Sequence, residues 1–312
     1  MKIGFLFPGQ GAQYVGMGKD IYEKYEAAKN IYQKVNEITK LNIADISFNG
    51  PEDLLNETKY TQLAILTMSL AILEILKQEN IKADMSAGLS LGEYSALIYS
   101  GAIDFEDGIQ LVKQRGKYMQ ELLPEGEWSM AAVLGLEDEK VEEICNKVIS
   151  GFVSPANYNC KGQVVISGEK QAIEEAEILA KEAGAKRVII LKTSGPFHTE
   201  KLVKASEEFK EELEKIEFKK FKSLVAKNID GNVYTEKDNM KEVLAKHIIS
   251  PVKFSKEIET MLENGIDTFI EIGPGKTLSG FVKKTKTDKE INVFHIENIQ
   301  TLEDTINNIK EK

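Results

Sequence analysis

Ser90 stands between two glycines in Gly88-Leu89-Ser90-Leu91-Gly92. The apolar run Met85-Ser86-Ala87 precedes it and a helical pattern to Tyr99 follows, so it sits at a strand-to-helix junction. Such a turn holds a hydroxyl out of the backbone and leaves room for a substrate. It also aims the free N–H groups of the next helix at an attacked carbonyl. That chemistry is nucleophilic, with an acyl-serine intermediate. The same residues could equally form a helix N-cap, with Glu93 three positions on completing a capping box. On the motif alone the two readings are balanced.

A serine nucleophile needs a base, and the chain has three histidines. His295 lies inside Val293-Phe294-His295-Ile296 and reads as structural. His247 is near a helix C-terminus, where imidazole often only caps. His198 ends the rigid turn Thr193-Ser194-Gly195-Pro196-Phe197-His198 and is the candidate base, a plain loop histidine being the alternative.

Arg115, in Gln114-Arg115-Gly116, and Arg187 are the arginines among 40 basic residues. A bidentate pair with a carboxylate gives a reason for guanidinium where the chain otherwise uses lysine. At Arg115 it would select a substrate with a free carboxylate; a structural ion pair with a glutamate is the competing reading. Arg187, beginning a predicted strand, reads as structural. Gln10 lies in the loop Pro8-Gly9-Gln10-Gly11-Ala12-Gln13. Backbone N–H groups of this loop could form one half of an oxyanion hole, with the Leu91 N–H supplying the other. The loop lacks the dinucleotide fingerprint and the Walker spacing. No compact His, Cys, Asp and Glu group suggests a metal site.

The elements that must position these residues alternate. Ile3 to Phe7 reads as a strand, followed by helices over Lys19 to Thr39 and Gln62 to Gln78, then Ser90 to Tyr99 and Phe105 to Leu122. Between Trp128 and Leu191 the order is β-α-β-β-α-β, with a turn at Asn159 to Gly162, as in a ferredoxin-like unit. Further helices are expected at Glu200 to Ile216, Asn239 to His247, Phe254 to Leu262, Thr277 to Lys284 and Leu302 to Ile309. Strands are expected at Leu224 to Ala226, Thr268 to Ile272 and Asn292 to Ile296. The expectation is an α/β fold: a large domain (1–125 and 195–312) with a mainly parallel sheet and a hydrolase-like nucleophile turn, and a small ferredoxin-like inserted domain (126–194).

At 312 residues the chain can bury a substantial core, and a net charge of −10 argues against nucleic acid as a partner. Cys145 and Cys160 imply no disulfide framework and fit a reducing cytoplasm. The N-terminal apolar run is too short for a secretion signal, and other apolar runs are interrupted before a membrane-spanning length.

Taken in order, seven segments resemble the malonyl-CoA:acyl-carrier-protein transacylases of fatty-acid synthesis over nearly the whole chain. They are Phe7 to Gln13, Gly88 to Leu97, Gln114-Arg115-Gly116, Ala156-Asn157-Tyr158-Asn159, Gln163 to Gly168, Gly195-Pro196-Phe197-His198 and Glu271-Ile272-Gly273-Pro274-Gly275. The resemblance implies that malonyl-CoA acylates Ser90 with His198 as base. Arg115 would hold the malonyl carboxylate, and the N–H groups of Gln10 and Leu91 the oxyanion. The phosphopantetheine thiol of holo acyl carrier protein would then take the malonyl group in a ping-pong cycle. No bound cofactor is expected, since phosphopantetheine arrives on the partner. Asn157 and Asn159 match cleft-lining positions, and Phe197 a position whose bulk favours malonyl over methylmalonyl.

Two residues depart from the family. Leu89 replaces a usual histidine before the nucleophile; it removes a polar neighbour but no member of the dyad. His247 replaces a common glutamine whose backbone carbonyl orients the catalytic histidine, a role that tolerates a change of side chain. The competing functions are a stand-alone acyltransferase of a polyketide pathway, a serine hydrolase or thioesterase, and a non-catalytic carrier-protein docking subunit. A cytoplasmic monomer, with neither membrane nor nucleic acid as partner, is the expectation.

Overall fold

The computed structural model describes every residue except Ser194, Lys286, Lys289 and Lys312. Ser194, part of the turn before His198, thus lies outside the described residues. Among those described, nine strands form two sheets: β1 (Ile3–Phe7), β2 (Met85–Gly88), β3 (Trp128–Leu134), β4 (Val153–Cys160), β5 (Gln163–Glu169), β6 (Arg187–Ile190), β7 (Leu224–Val225), β8 (Thr268–Ile272) and β9 (Asn292–Ile296). The fold is α/β. One sheet has the order β7-β2-β1-β8-β9 and is parallel throughout. The other has the order β4-β5-β3-β6 and is antiparallel, with helices Asp138–Lys147 and Lys170–Glu182 packed on it.

The central strands are apolar because both of their faces are covered. β1 and β8 are buried at every position, as a parallel strand between helical layers must be. One layer is built on helix Thr58–Gln78, which packs against Glu26–Thr39 and Phe105–Glu121. By length and composition this helix could cross a bilayer, but 83% of its apolar window is buried inside the fold. At the end of β8 the buried Glu271 accepts the N–H groups of Leu278 and Ser279 at 3.0 and 2.7 Å, capping helix Thr277–Lys284. The motif Glu271 to Gly275 therefore has a structural role.

The structure departs from the expected elements in several places, among them the helix expected from Glu200 to Ile216, which is a 3-10 turn Glu200–Leu202 followed by an α-helix Val203–Glu214. The pattern over Lys19 to Thr39 is two helices, broken where Tyr25 is extended at φ −109° and ψ 119°. The break sets Tyr22 against Tyr32 and Phe48, at ring-centroid distances of 5.5 and 5.0 Å; aromatic packing overrides helical periodicity. Two short helices, Ile43–Asn49 and Glu52–Leu55, occupy a stretch with no clear period. β4 runs on through Cys160, leaving Lys161 and Gly162 as the turn. Finally, the helix after Ser90 begins at Gly92, because Ser90 itself has φ 54°. Arg187 opens β6 and is exposed; Cys145 and Cys160 are free and buried.

Candidate active site

The nucleophile turn is built on close backbone approach. A Cβ on Gly88 would stand 2.1 Å from the Gly92 carbonyl carbon, and one on Gly92 would stand 2.0 Å from the Phe7 carbonyl oxygen. Glycine at both places lets helix Gly92–Tyr99 lie directly against β1 and β2. Ser90, between them, takes the left-handed conformation, which costs a non-glycine residue about 1 kcal/mol or more. No side chain caps the helix, and Ser90 N–H donates to Asn228 Oδ1 at 2.7 Å. The capping-box reading is therefore wrong: Ser90 is not an N-cap, and Glu93 turns inward.

Ser90 Oγ lies 2.7 Å from His198 Nε2. His198 is buried, also at positive φ (60°), and its Nδ1 lies 3.1 Å from the backbone carbonyl of His247. A carbonyl can only accept, so Nδ1 carries the proton and Nε2 offers its lone pair to the serine hydroxyl. Burial, then the neighbouring His247, then Arg115 hold the His198 pKa well below the usual imidazole value. The ring is thus a free base at neutral pH.

Arg115 is fully buried. It donates to Gln62 Oε1 at 2.7 Å and to Ser90 Oγ at 3.1 Å, and its guanidinium carbon lies 5.3 Å from the Tyr94 ring centroid. Among the described residues no Asp or Glu is within ion-pair distance of it, and its Nε has no hydrogen-bond partner. The reading as a structural ion pair with a glutamate is thus overturned. A buried guanidinium lacking its counter-ion is poorly compensated until an anion arrives.

These groups open into a cavity of about 530 Å³ between the two sheets, lined by Gln10, Leu89, Leu91, Asn157, Asn159 and Phe197 among others. Gln10 Nε2 donates to Thr58 Oγ1 at 3.1 Å. The backbone N–H groups of Gln10 and Leu91 meet no protein acceptor among the described residues, as an oxyanion hole requires. Asn159 Oδ1 is buried without a partner among the described residues. Leu89 is half-buried and adds only apolar wall.

His247 is fully buried, stacked on His198 with centroids 5.2 Å apart and planes at 25°. It is not a surface cap. His295 lies at the sheet edge on β9, 3.6 Å from Glu297. Sequence reasoning missed Gln62 and Asn228. Gln62 is a lone amide in an apolar helical run, which could have marked it. Asn228 precedes Ile229-Asp230-Gly231 and looks like an ordinary turn residue, without a signal of its partner.

The chain belongs to the acyl transferase domain family, whose model it matches over residues 4–303. It is 43% identical to the malonyl CoA-acyl carrier protein transacylase of Bacillus subtilis, over 100% of this chain and 98% of that protein. The crystal structure of malonyl CoA-acyl carrier protein transacylase from Clostridium perfringens superposes with a TM-score of 0.94 at 49% identity, covering 100% of this chain and 98% of that one. The malonyl-transacylase PlMCAT, solved in complex with the type II PKS acyl-carrier protein AntF, gives a TM-score of 0.94 at 34% identity, over 99% of this chain and 100% of that one.

Proposed function

We propose that the chain transfers malonyl groups from malonyl-CoA to the phosphopantetheine thiol of holo acyl carrier protein. The carrying observation is Arg115: a buried guanidinium without a carboxylate partner among the described residues, 3.1 Å from Ser90 Oγ. A substrate carboxylate supplies the missing partner and brings its thioester to the nucleophile. Both relatives above named as transacylases of malonyl CoA and acyl carrier protein support the same reading.

In the first half-reaction Ser90 Oγ attacks the thioester carbonyl carbon and its proton passes to His198 Nε2. The N–H groups of Gln10 and Leu91 take the oxyanion. Collapse releases CoA, whose sulfur leaves with the proton from His198. The pantetheine thiol then reverses these steps on the malonyl-serine. The His247 carbonyl orients His198, Asn157 and Asn159 contact the incoming arm, Phe197 limits branching beside the acyl group, and Leu89 forms apolar wall. This assignment involves no resident cofactor.

The strand order β4-β5-β3-β6 with two crossing helices supports reading 126–194 as a ferredoxin-like domain inserted into a large domain of 1–125 and 195–312. We infer a monomer working in the cytoplasm, with neither nucleic acid nor membrane as partner. A hydrolase has less support, because His198 Nδ1 meets a backbone carbonyl and a hydrolase gains nothing from Arg115.

Intact-mass measurement tests the proposal. Wild type should gain a malonyl mass from malonyl-CoA and lose it to holo acyl carrier protein, while Ser90→Ala should gain none. An acyl-enzyme that loses its malonyl group to water as fast as to the carrier thiol would refute transfer.

A further inference from the structure

Five groups close a circuit behind the cleft. Ser90 Oγ meets His198 Nε2 at 2.7 Å, and His198 Nδ1 meets the His247 carbonyl at 3.1 Å. His247 Nδ1 lies 2.9 Å from Glu93 Oε2. Glu93 Oε1 accepts the Asn228 N–H at 3.2 Å, and Asn228 Oδ1 accepts the Ser90 N–H at 2.7 Å. Glu93, His247 and Asn228 are completely buried. Resting on Ser90 as the nucleophile, we propose that Glu93 is a positioning residue for both halves of the dyad, acting through Asn228 on the serine and through His247 on its base.

The Asn228 side chain spans the nucleophile turn. Its oxygen takes the N–H of Ser90 and its nitrogen donates to the Gly88 carbonyl at 2.7 Å. This clip holds Ser90 in its unfavourable left-handed conformation. Asn228 is itself fixed by Glu93 at its N–H and by Lys253 N–H, which donates to its carbonyl at 2.7 Å. Glu93 lies in the first turn of the helix that Ser90 introduces, so one carboxylate ties that turn to the segment facing it.

The second oxygen reaches the other half. Glu93 Oε2 and His247 Nδ1 are at ion-pair distance, though their angle falls outside hydrogen-bond range. This contact fixes the His247 ring where it stacks on His198, and the His247 carbonyl holds the Nδ1 proton of the base. A buried carboxylate is costly unless compensated. Here Tyr234 OH also donates to Oε1 at 2.8 Å. Glu257 accepts from Asn228 Nδ2 at 3.1 Å, and burial and repulsion from Glu93 push its pKa well above the carboxylate range. A capping glutamate would stay at the helix surface; this one is sunk where the dyad's supports, Asn228 and His247, meet it.

The test is the rate at which Ser90 reacts in the full chain, with malonyl-CoA and with a fluorophosphonate. The latter forms an Oγ–P bond, breaks P–F, releases fluoride and gives the serine proton to His198. It has no carboxylate for Arg115 to hold. Glu93→Gln and His247→Ala should each slow both reactions about ten- to a hundredfold, the loss typical of a misplaced reacting group. His247→Gln should recover most of the loss seen in His247→Ala, since a polar amide can still fill the space between Glu93 and His198. The double variant Glu93→Gln/His247→Ala should be no slower than the slower single, because the Glu93–His247 contact that His247→Ala removes is already lost in Glu93→Gln. Glu93→Gln reacting at the wild-type rate, or His247→Gln as slow as His247→Ala, would overturn the proposal. Wild type that takes the fluorophosphonate but no malonyl group would instead sink the malonyl reading and leave the positioning role standing.

Discussion

Arg115 donates to the hydroxyl of Ser90 at 3.1 Å, so the charge that would bind a substrate and the atom that would attack it are direct neighbours. Removing the guanidinium should therefore change which acyl groups react. Arg115→Ala should lose about 2–3 kcal/mol of preference for malonyl-CoA over acetyl-CoA, roughly a hundredfold, the worth of hydrogen bonds to a charged group. Competition between the two thioesters, read by intact mass, measures it. An unchanged preference would show that Arg115 does not hold the carboxylate.

The pH dependence follows from His198. Its pKa in the fold is depressed, chiefly by burial, while in the unfolded chain it returns to about 6.5. Acylation of Ser90 should stay on its plateau down through pH 6.5 and fall only below that. Stability has the same sign. Above about pH 6.5 the group is neutral in both states and costs nothing; below it the unfolded chain takes the proton first. Stability should then fall by up to about 1.4 kcal/mol per pH unit until the folded pKa is reached. Urea denaturation at stepped pH, comparing wild type with His198→Gln, isolates this contribution.

Backbone strain at Ser90 is separable from its chemistry. Ser90→Ala and Ser90→Gly both remove the hydroxyl and should both be inactive. A φ of 54° favours glycine over a residue with a Cβ, so the glycine variant should be the more stable of the two by about 1 kcal/mol. Equal unfolding midpoints would mean that the turn relaxes once the hydroxyl is gone.

Phe197 is buried in the cleft wall at 5% exposure. Phe197→Leu should raise the ratio of methylmalonyl to malonyl transfer by about tenfold, the usual discrimination for one carbon in an apolar pocket. An unchanged ratio would place the branch elsewhere.

The sequence made the strands and most helices legible because their apolar periods are strong: β1, β3, β8 and β9 fall where the pattern puts them. Ser90, His198 and Arg115 were legible because their residue types are scarce and their local turns distinctive. Their convergence on one cleft was not, since 108 positions separate Ser90 from His198 and 25 separate it from Arg115. Asn228 and Gln62 stayed hidden for a related reason. An amide's role depends on which backbone group or guanidinium faces it across the fold, and no local spacing records that. The break at Tyr25 was equally illegible, being set by aromatic partners at Tyr32 and Phe48.

One stretch of chain, from His247 to Val252, serves both sides of the cleft. His247 supplies the carbonyl behind His198, and Val252 bonds to β4, accepting Tyr158 N–H at 2.8 Å and donating to the Ala156 carbonyl at 2.9 Å. β4 also carries Asn157 and Asn159 in the cleft wall. The wall and the base thus share a footing, so that a substitution displacing β4 would be felt at the carbonyl that supports the base.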